Sequence, residues 1–179
     1  MNQIKEGSEK QPRRQDESGS RPKASGKITP NLWFKGNAEE AVNFYLSVFK
    51  EGKVVTKSYY PTEGLLDFQK PFAGKVLAIY FEILGQGFVA INAGNEFTFN
   101  EAVSFNIACK DQTEIDYYWE KLSAVPESEQ CGWCKDKYGL SWQINPENIE
   151  KIMLTPGAWE KLLQMKKIDI AELQKAAEG

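Results

Sequence analysis

The side chains of this sequence that could do chemistry are few, and their types narrow the options. Histidine is absent from all 179 positions. That absence removes the Ser-His-Asp triad, the Cys-His dyad, histidine-ligated zinc and any histidine general base. Cys109, Cys131 and Cys134 form no even disulfide framework. Cys131-Gly132-Trp133-Cys134 spells C-x-x-C, whose redox chemistry needs the motif to open a helix, where the helix terminus lowers a thiol pKa. Here it runs into Lys135-Asp136-Lys137-Tyr138-Gly139, which is turn chemistry leading to a strand. Both thiols are therefore read as strand cysteines near a surface. A zinc site needs four ligands and three cysteines fall short. Gly85-x-Gly87 sits between two expected strands with no helix after it, so it lacks the strand-turn-helix setting of a methyl-donor site.

Charge divides the chain. Lys plus Arg number 22 and Asp plus Glu 25, for a net charge of −3. Residues 1–27 nevertheless carry seven bases and four acids among Gln, Ser, Gly and Pro. Such a stretch buries too little apolar surface to offset its ordering entropy, and is expected to be a disordered tail. It has no apolar h-region of a signal peptide. With three cysteines and no secretion signal, a reducing cytoplasm is the expected compartment. No apolar run reaches the roughly 18–20 residues that span a bilayer. The acidic remainder and the lack of aromatics among the tail's bases argue against a nucleic-acid partner.

Elements must position whatever chemistry exists. A strand over 28–35 leads to Asn37, read as an N-cap with Glu40 closing a capping box. Ala41, Phe44, Tyr45 and Val48 then recur at helical spacing. A strand over 103–109 leads to Asp111 and Glu114, followed by Ile115, Tyr118, Trp119 and Leu122. Each of these pairs is 74 residues apart, which predicts an internal duplication of a strand-helix unit. Strands are expected at 53–60, 76–84 and 87–92 after the first helix, and at 131–135 and 140–145 after the second. The predicted architecture is α+β. It pairs two βαβββ modules, 28–92 and 102–145, within a domain 28–146, followed by a helical appendix 147–179. In the appendix Thr155-Pro156 and Asp169 with Glu172 signal helix starts.

Alternation along the strands sorts side chains by face. Ile79, Phe81 and Ile83, Phe105, Ile107 and Cys109, and Trp142 and Ile144 make one apolar side. Tyr80, Glu82, Ser104, Asn106, Ser141, Gln143 and Asn145 make the other. A polar face in three separate strands is either open to solvent or the lining of a cleft.

Several segments carry a family resemblance. They are Leu32-Trp33-Phe34-x-Gly-Asn-Ala-Glu-Glu-Ala, Asn43-Phe44-Tyr45, Glu101 to Phe105, Asp116 to Leu122 and Gln130 to Gln143. Together with the ending Met165 to Ile170, they resemble the PhnB-like group, labelled demethylubiquinone methyltransferase-like, of the vicinal-oxygen-chelate (glyoxalase, bleomycin-resistance, extradiol-dioxygenase) superfamily. The resemblance implies paired βαβββ modules curling into a cup, often as homodimers. It also implies a divalent metal at positions that fall here on Pro30, Ala78, Ser104 and Gln143. Proline and alanine cannot ligate, serine ligates poorly, and Gln143 offers a neutral amide oxygen, so no metal or other cofactor is expected. The expected function is metal-independent binding of an unknown small molecule by Leu32, Phe34, Tyr80, Ser104, Asn106 and Gln143. The alternative is a metal-free enzyme with Glu82 as general base. The methyltransferase label finds no supporting residues.

Overall fold

A computed structural model describes residues 27–179. The expected tail thus lies, apart from Lys27, outside the described residues. The first half runs β1 (Asn31–Phe34), α1 (Ala38–Val48), β2 (Gly52–Tyr59), β3 (Val76–Ile83) and β4 (Gln86–Asn92). The second runs β5 (Ser104–Cys109), α2 (Gln112–Leu122), β6 (Trp133–Lys135) and β7 (Ser141–Pro146). Three helices close the chain: α3 (Ile149–Ile152), α4 (Pro156–Leu163) and α5 (Ile170–Glu178). The strands make a four-stranded sheet, β1-β4-β3-β2, and a three-stranded sheet, β5-β7-β6. This is a mixed α+β fold of two small sheets and several helices.

Both halves begin alike. Each has a strand, an 11-residue helix and a parallel return, β1 beside β4 and β5 beside β7. The helices keep the 74-residue offset at both ends. Their apolar stripes are buried as the periodicity demands: Ala41, Tyr45 and Val48 in α1, Ile115, Tyr118 and Leu122 in α2. Each fully buried large side chain contributes about 1.5–3 kcal/mol relative to leaving it in water.

Three expectations are corrected. The first strand spans four residues rather than eight, and Ile28 ahead of it is exposed. The second half holds three strands where four were expected; in place of one there is only an isolated bridge between Gln130 and Trp133. Asn37 makes no cap bond with its side chain. The Ala38 N–H donates instead to Asn92 Oδ1 at 2.9 Å, so a residue of β4 caps α1. Glu40 is drawn away from the cap because Tyr138 Oη and Lys137 Nζ donate to its carboxylate.

The other caps form as read. Asp111, Thr155 and Asp169 each accept from the backbone N–H three residues on. The appendix docks on the second half through backbone bonds, the Cys131 and Gly132 N–H groups donating to Met165 and Lys166 carbonyls at 2.8 Å. Ile168 and Leu173 then complete a core shared by both sheets.

How the halves meet decides what the faces can do. Tyr45 of α1 and Phe49, the residue just after that helix, lie 5.9 and 5.4 Å, centroid to centroid, from Trp142 of β7. Phe88 of β4 meets Phe105 of β5 edge-on at 5.1 Å. These contacts join the apolar sides of both sheets and α1 in one cluster. Among the described residues no strand of one sheet pairs with a strand of the other.

Candidate ligand-binding site

Register places each candidate. Paired residues of neighbouring strands share a face. Leu32 is paired with Ala90, and Ala90 with Ile79; all three are buried on the core side. Phe34 is 2% exposed and packs against Phe99 and Tyr138. Leu32 and Phe34, expected to contact a ligand beside the polar set, are therefore core residues on the opposite face. Asn31 and Trp33 take the outward positions on β1.

On that outward face of the first sheet stand Ala78, Tyr80 and Glu82, with Gly87, Val89 and Ile91 as their β4 partners. Glu82 lies across from Lys53 on β2, Nζ to Oε1 3.8 Å, with about a third of its side chain exposed. On the second sheet Ser104, Asn106, Gln143 and Asn145 share the outward face. Gln143 Nε2 donates to Ser104 Oγ at 2.8 Å, and Asn145 Nδ2 to Asn106 Oδ1 at 2.7 Å. These amides are thus ordered in a ladder across the sheet, leaving Gln143 Oε1 as an acceptor. Ser141, expected in the same open set, is fully buried and its hydroxyl has no partner.

Because the apolar sides of both sheets meet in one core, the two polar faces point away from it. One chain therefore does not bring Tyr80 and Glu82 against Ser104, Asn106 and Gln143. A cavity of about 470 Å³ does open beside the second face, lined by Glu101, Glu127, Ser128, Gln130, Cys131 and Trp133. Trp133, absent from the ligand-contacting residues that the sequence suggests, is paired with Gln143 and shares its face. Its place on a three-residue strand, β6, with little alternation to read, hid it. Lys135 pairs with Glu101 at the rim.

The positions at which the family resemblance implies a metal do not suit one. The Pro30 carbonyl accepts the Val89 N–H, Ala78 has no donor atom, and Ser104 and Gln143 are bonded to each other. Among the described residues no three Cys, Asp or Glu side chains converge as a metal site requires.

The cysteines sit on strand and turn, not at a helix start. Burial pushes the Cys109 and Cys134 thiols up to about 12, and burial also raises Cys131. Cys131 alone is partly exposed. A thiol-reactive disulfide reagent at neutral pH is expected to label one cysteine quickly and the other two only on unfolding, and Cys131→Ser should remove the fast phase. Fast labelling of two thiols in the folded protein would contradict this geometry.

Asp136, which the sequence places in a turn, is fully buried. Four donors surround it. Tyr45 Oη and Trp142 Nε1 reach Oδ2 at 2.9 Å, and the Tyr138 and Leu140 N–H groups reach Oδ1. Burial raises its carboxyl above the ordinary range while these bonds pull the other way. Tyr45 comes from the first half and the other three from the second, so Asp136 is a clasp between halves. A lone Asp before a Tyr-Gly turn gives no sequence signal for that role.

Comparison with known proteins supplies the relationship. Residues 26–145, well over half of the chain, match the family described as 3-demethylubiquinone-9 3-methyltransferase. The Bacillus cereus PhnB protein, given that same description, is 36% identical, with 68% of this chain and 99% of that one covered at a TM-score of 0.54. Protein PA1353 from Pseudomonas aeruginosa, at 16% identity, covers 67% and 96% with a TM-score of 0.50, a likeness of fold alone. A fosfomycin resistance protein, FosX, from Listeria monocytogenes is a looser likeness at 18% identity and a TM-score of 0.47, covering 72% and 96%. No curated protein matches significantly. The 36% identity over nearly all of the PhnB protein and the family match together settle the relationship: this chain belongs to the 3-demethylubiquinone-9 3-methyltransferase (PhnB-like) family.

Proposed function

We propose that this protein binds a small organic molecule without a metal, in a cup that two copies build together. The observation that carries the reading is the orientation of the two polar faces, which point away from the core that both sheets share. Both β1 and β5 are edge strands. An edge strand presents unpaired backbone donors and acceptors to a further strand. Placing β1 of one copy beside β5 of another would join the two outward faces across the dimer. Trp33, Tyr80 and Glu82 of one copy would then oppose Ser104, Asn106 and Gln143 of the other. Such a cup offers an apolar floor, one carboxylate and several neutral hydrogen-bonding groups, the mixture typical of small-ligand sites.

The family's name includes methyl transfer, but the Gly85-x-Gly87 segment lies at the hairpin between β3 and β4. A methyl donor's usual strand-to-helix cradle is therefore not made there. Pro30, Ala78, Ser104 and Gln143 also give a divalent ion too little to hold. Chelator is expected to leave the melting temperature unchanged. A stoichiometric stabilisation by nickel, zinc or magnesium that Glu82→Gln abolishes would move Glu82-centred enzyme chemistry ahead of binding.

Complementation tests the shared cup. Glu82→Arg and Gln143→Arg each spoil both cups of a homodimer, whereas a mixed dimer keeps one intact cup. Native mass spectrometry of protein from its own cell is expected to show a dimer carrying a co-purified small molecule. Each single variant should lose it, and the mixed dimer should regain one per dimer. A monomer, or variants that fail to complement, would refute the arrangement.

A further inference from the structure

At the C-terminal end of β1 lies a separate cavity of about 310 Å³, bounded by both halves and by the segment between them. Neither Glu82 nor Gln143 lines it. Its walls are aromatic. Trp33 and Phe97 meet edge-on at 4.9 Å, with the indole N–H held by the Gly94 carbonyl at 3.0 Å. Tyr138 and Phe99 flank Phe34, each ring edge-on to it. Phe97 remains 61% exposed despite standing at the mouth. An aromatic ring left that open gains by burial against another flat apolar surface.

The charge at this cavity has one sign to spare. Lys35 and Lys137 both line it. Lys137 lies over the Tyr138 ring at 5.0 Å and shares its charge with Glu40. Among the described residues no carboxylate pairs with Lys35. The Asn37 amide, which makes no cap bond, adds a neutral donor on the same rim. The Ala38 N–H is already taken by Asn92, so the helix end itself offers little to a bare phosphate. The volume is at the lower end for small-ligand sites, with room for one or two fused rings.

We propose that this cavity binds a small flat aromatic anion, its ring against Trp33, Phe97 and Tyr138 and its acidic group at Lys35. The site's walls all come from one chain, and of the residues assigned to the two-copy cup it shares only Trp33. An occupant would pin the 97–99 segment to both halves.

The test uses naphthalene-2-carboxylate as probe, with naphthalene-2-methanol and acetate as the uncharged and ringless controls. Calorimetric titration of the full chain is expected to give binding to the carboxylate and at least about tenfold weaker binding of either control. Phe97→Ala and Lys35→Glu should each weaken the carboxylate by about five- to tenfold with unchanged melting temperature. Lys151→Glu, an exposed change of equal charge on α3, should leave it as it was. No binding at millimolar probe would overturn the proposal. So would equal affinity for the neutral alcohol, or equal weakening by Lys151→Glu. If either cavity variant melts early, chemical-shift changes on wild-type protein decide: perturbations centred on Trp33, Phe97 and Tyr138 support the site, and perturbations elsewhere refute it.

Discussion

Replacing Asp136 by alanine is expected to destabilise the protein by about 3–5 kcal/mol, the largest effect of any single polar change considered. The carboxylate is the common acceptor for Tyr45 Oη, Trp142 Nε1 and two backbone N–H groups. Alanine would leave all four without a partner in a site closed to water, and each orphaned donor costs about 1–3 kcal/mol before relaxation. Tyr45→Phe removes one donor but leaves three, so it should cost about 1–2 kcal/mol. Asn at 136 keeps one acceptor oxygen yet turns an NH₂ toward surrounding donors, and should fall between the two. Urea unfolding of the three variants measures the series. An Asp136→Ala loss below about 1 kcal/mol would mean the clasp contributes little beyond packing. Because Tyr45 and Asp136 belong to different halves, the variant should also loosen their mutual packing, read as faster hydrogen exchange in α1 and around the 136–140 turn.

Gly132→Ala is the second large expectation, about 2–4 kcal/mol. Gly132 has a φ of +82°, where a side chain carries a steric cost of about 1–2 kcal/mol. Its neighbourhood adds to that. A Cβ would come within 2.8 Å of Asn145 Oδ1, 3.0 Å of Ile168 Cδ1 and 3.1 Å of the Ile144 carbonyl. The backbone cannot swing away cheaply, since the Gly132 N–H donates to the Lys166 carbonyl and its own carbonyl accepts from Ile144. Gly139, at a φ of +85° with open space around it, separates the two contributions. Gly139→Ala should show the conformational cost alone, about 1 kcal/mol. In Gly132→Ala the appendix should detach first, so trypsin is expected to cut near Lys166 and Lys167 well below the global transition. Equal losses for the two glycines would show that the contacts, and with them the docking of the appendix at this point, matter little.

The sequence alone determined what short-range physics controls. Helical spacing located α1 and α2 with their buried stripes, and the 74-residue offset appears in their bounds. Side-chain caps at Asp111 and Asp169 followed from an acid three positions on, and the cap at Thr155 from the proline after it. The outward positions of Tyr80 and Glu82 in one sheet, and of Ser104, Asn106 and Gln143 in the other, were legible because those strands alternate. The family resemblance lay in motifs that read directly from the chain.

Tertiary structure decided the rest, for reasons that distance along the chain explains. Leu32-Trp33-Phe34 is an unbroken apolar run, so nothing in it says which residues face the core. Pairing with β4 turns Leu32 and Phe34 inward and Trp33 outward. Asn37 loses its cap role to Asn92, which β4 brings to the Ala38 N–H from 54 residues away in sequence. Glu40 is held instead by Lys137 and Tyr138 from the other half. Ser141 looked like a surface residue and is buried, while Asp136 gathers a donor 91 residues distant. A residue's own spacing pattern tells only which neighbours share its face. Which face meets which is set by contacts between distant segments, and here those contacts put apolar sides together and leave the two polar faces pointing apart.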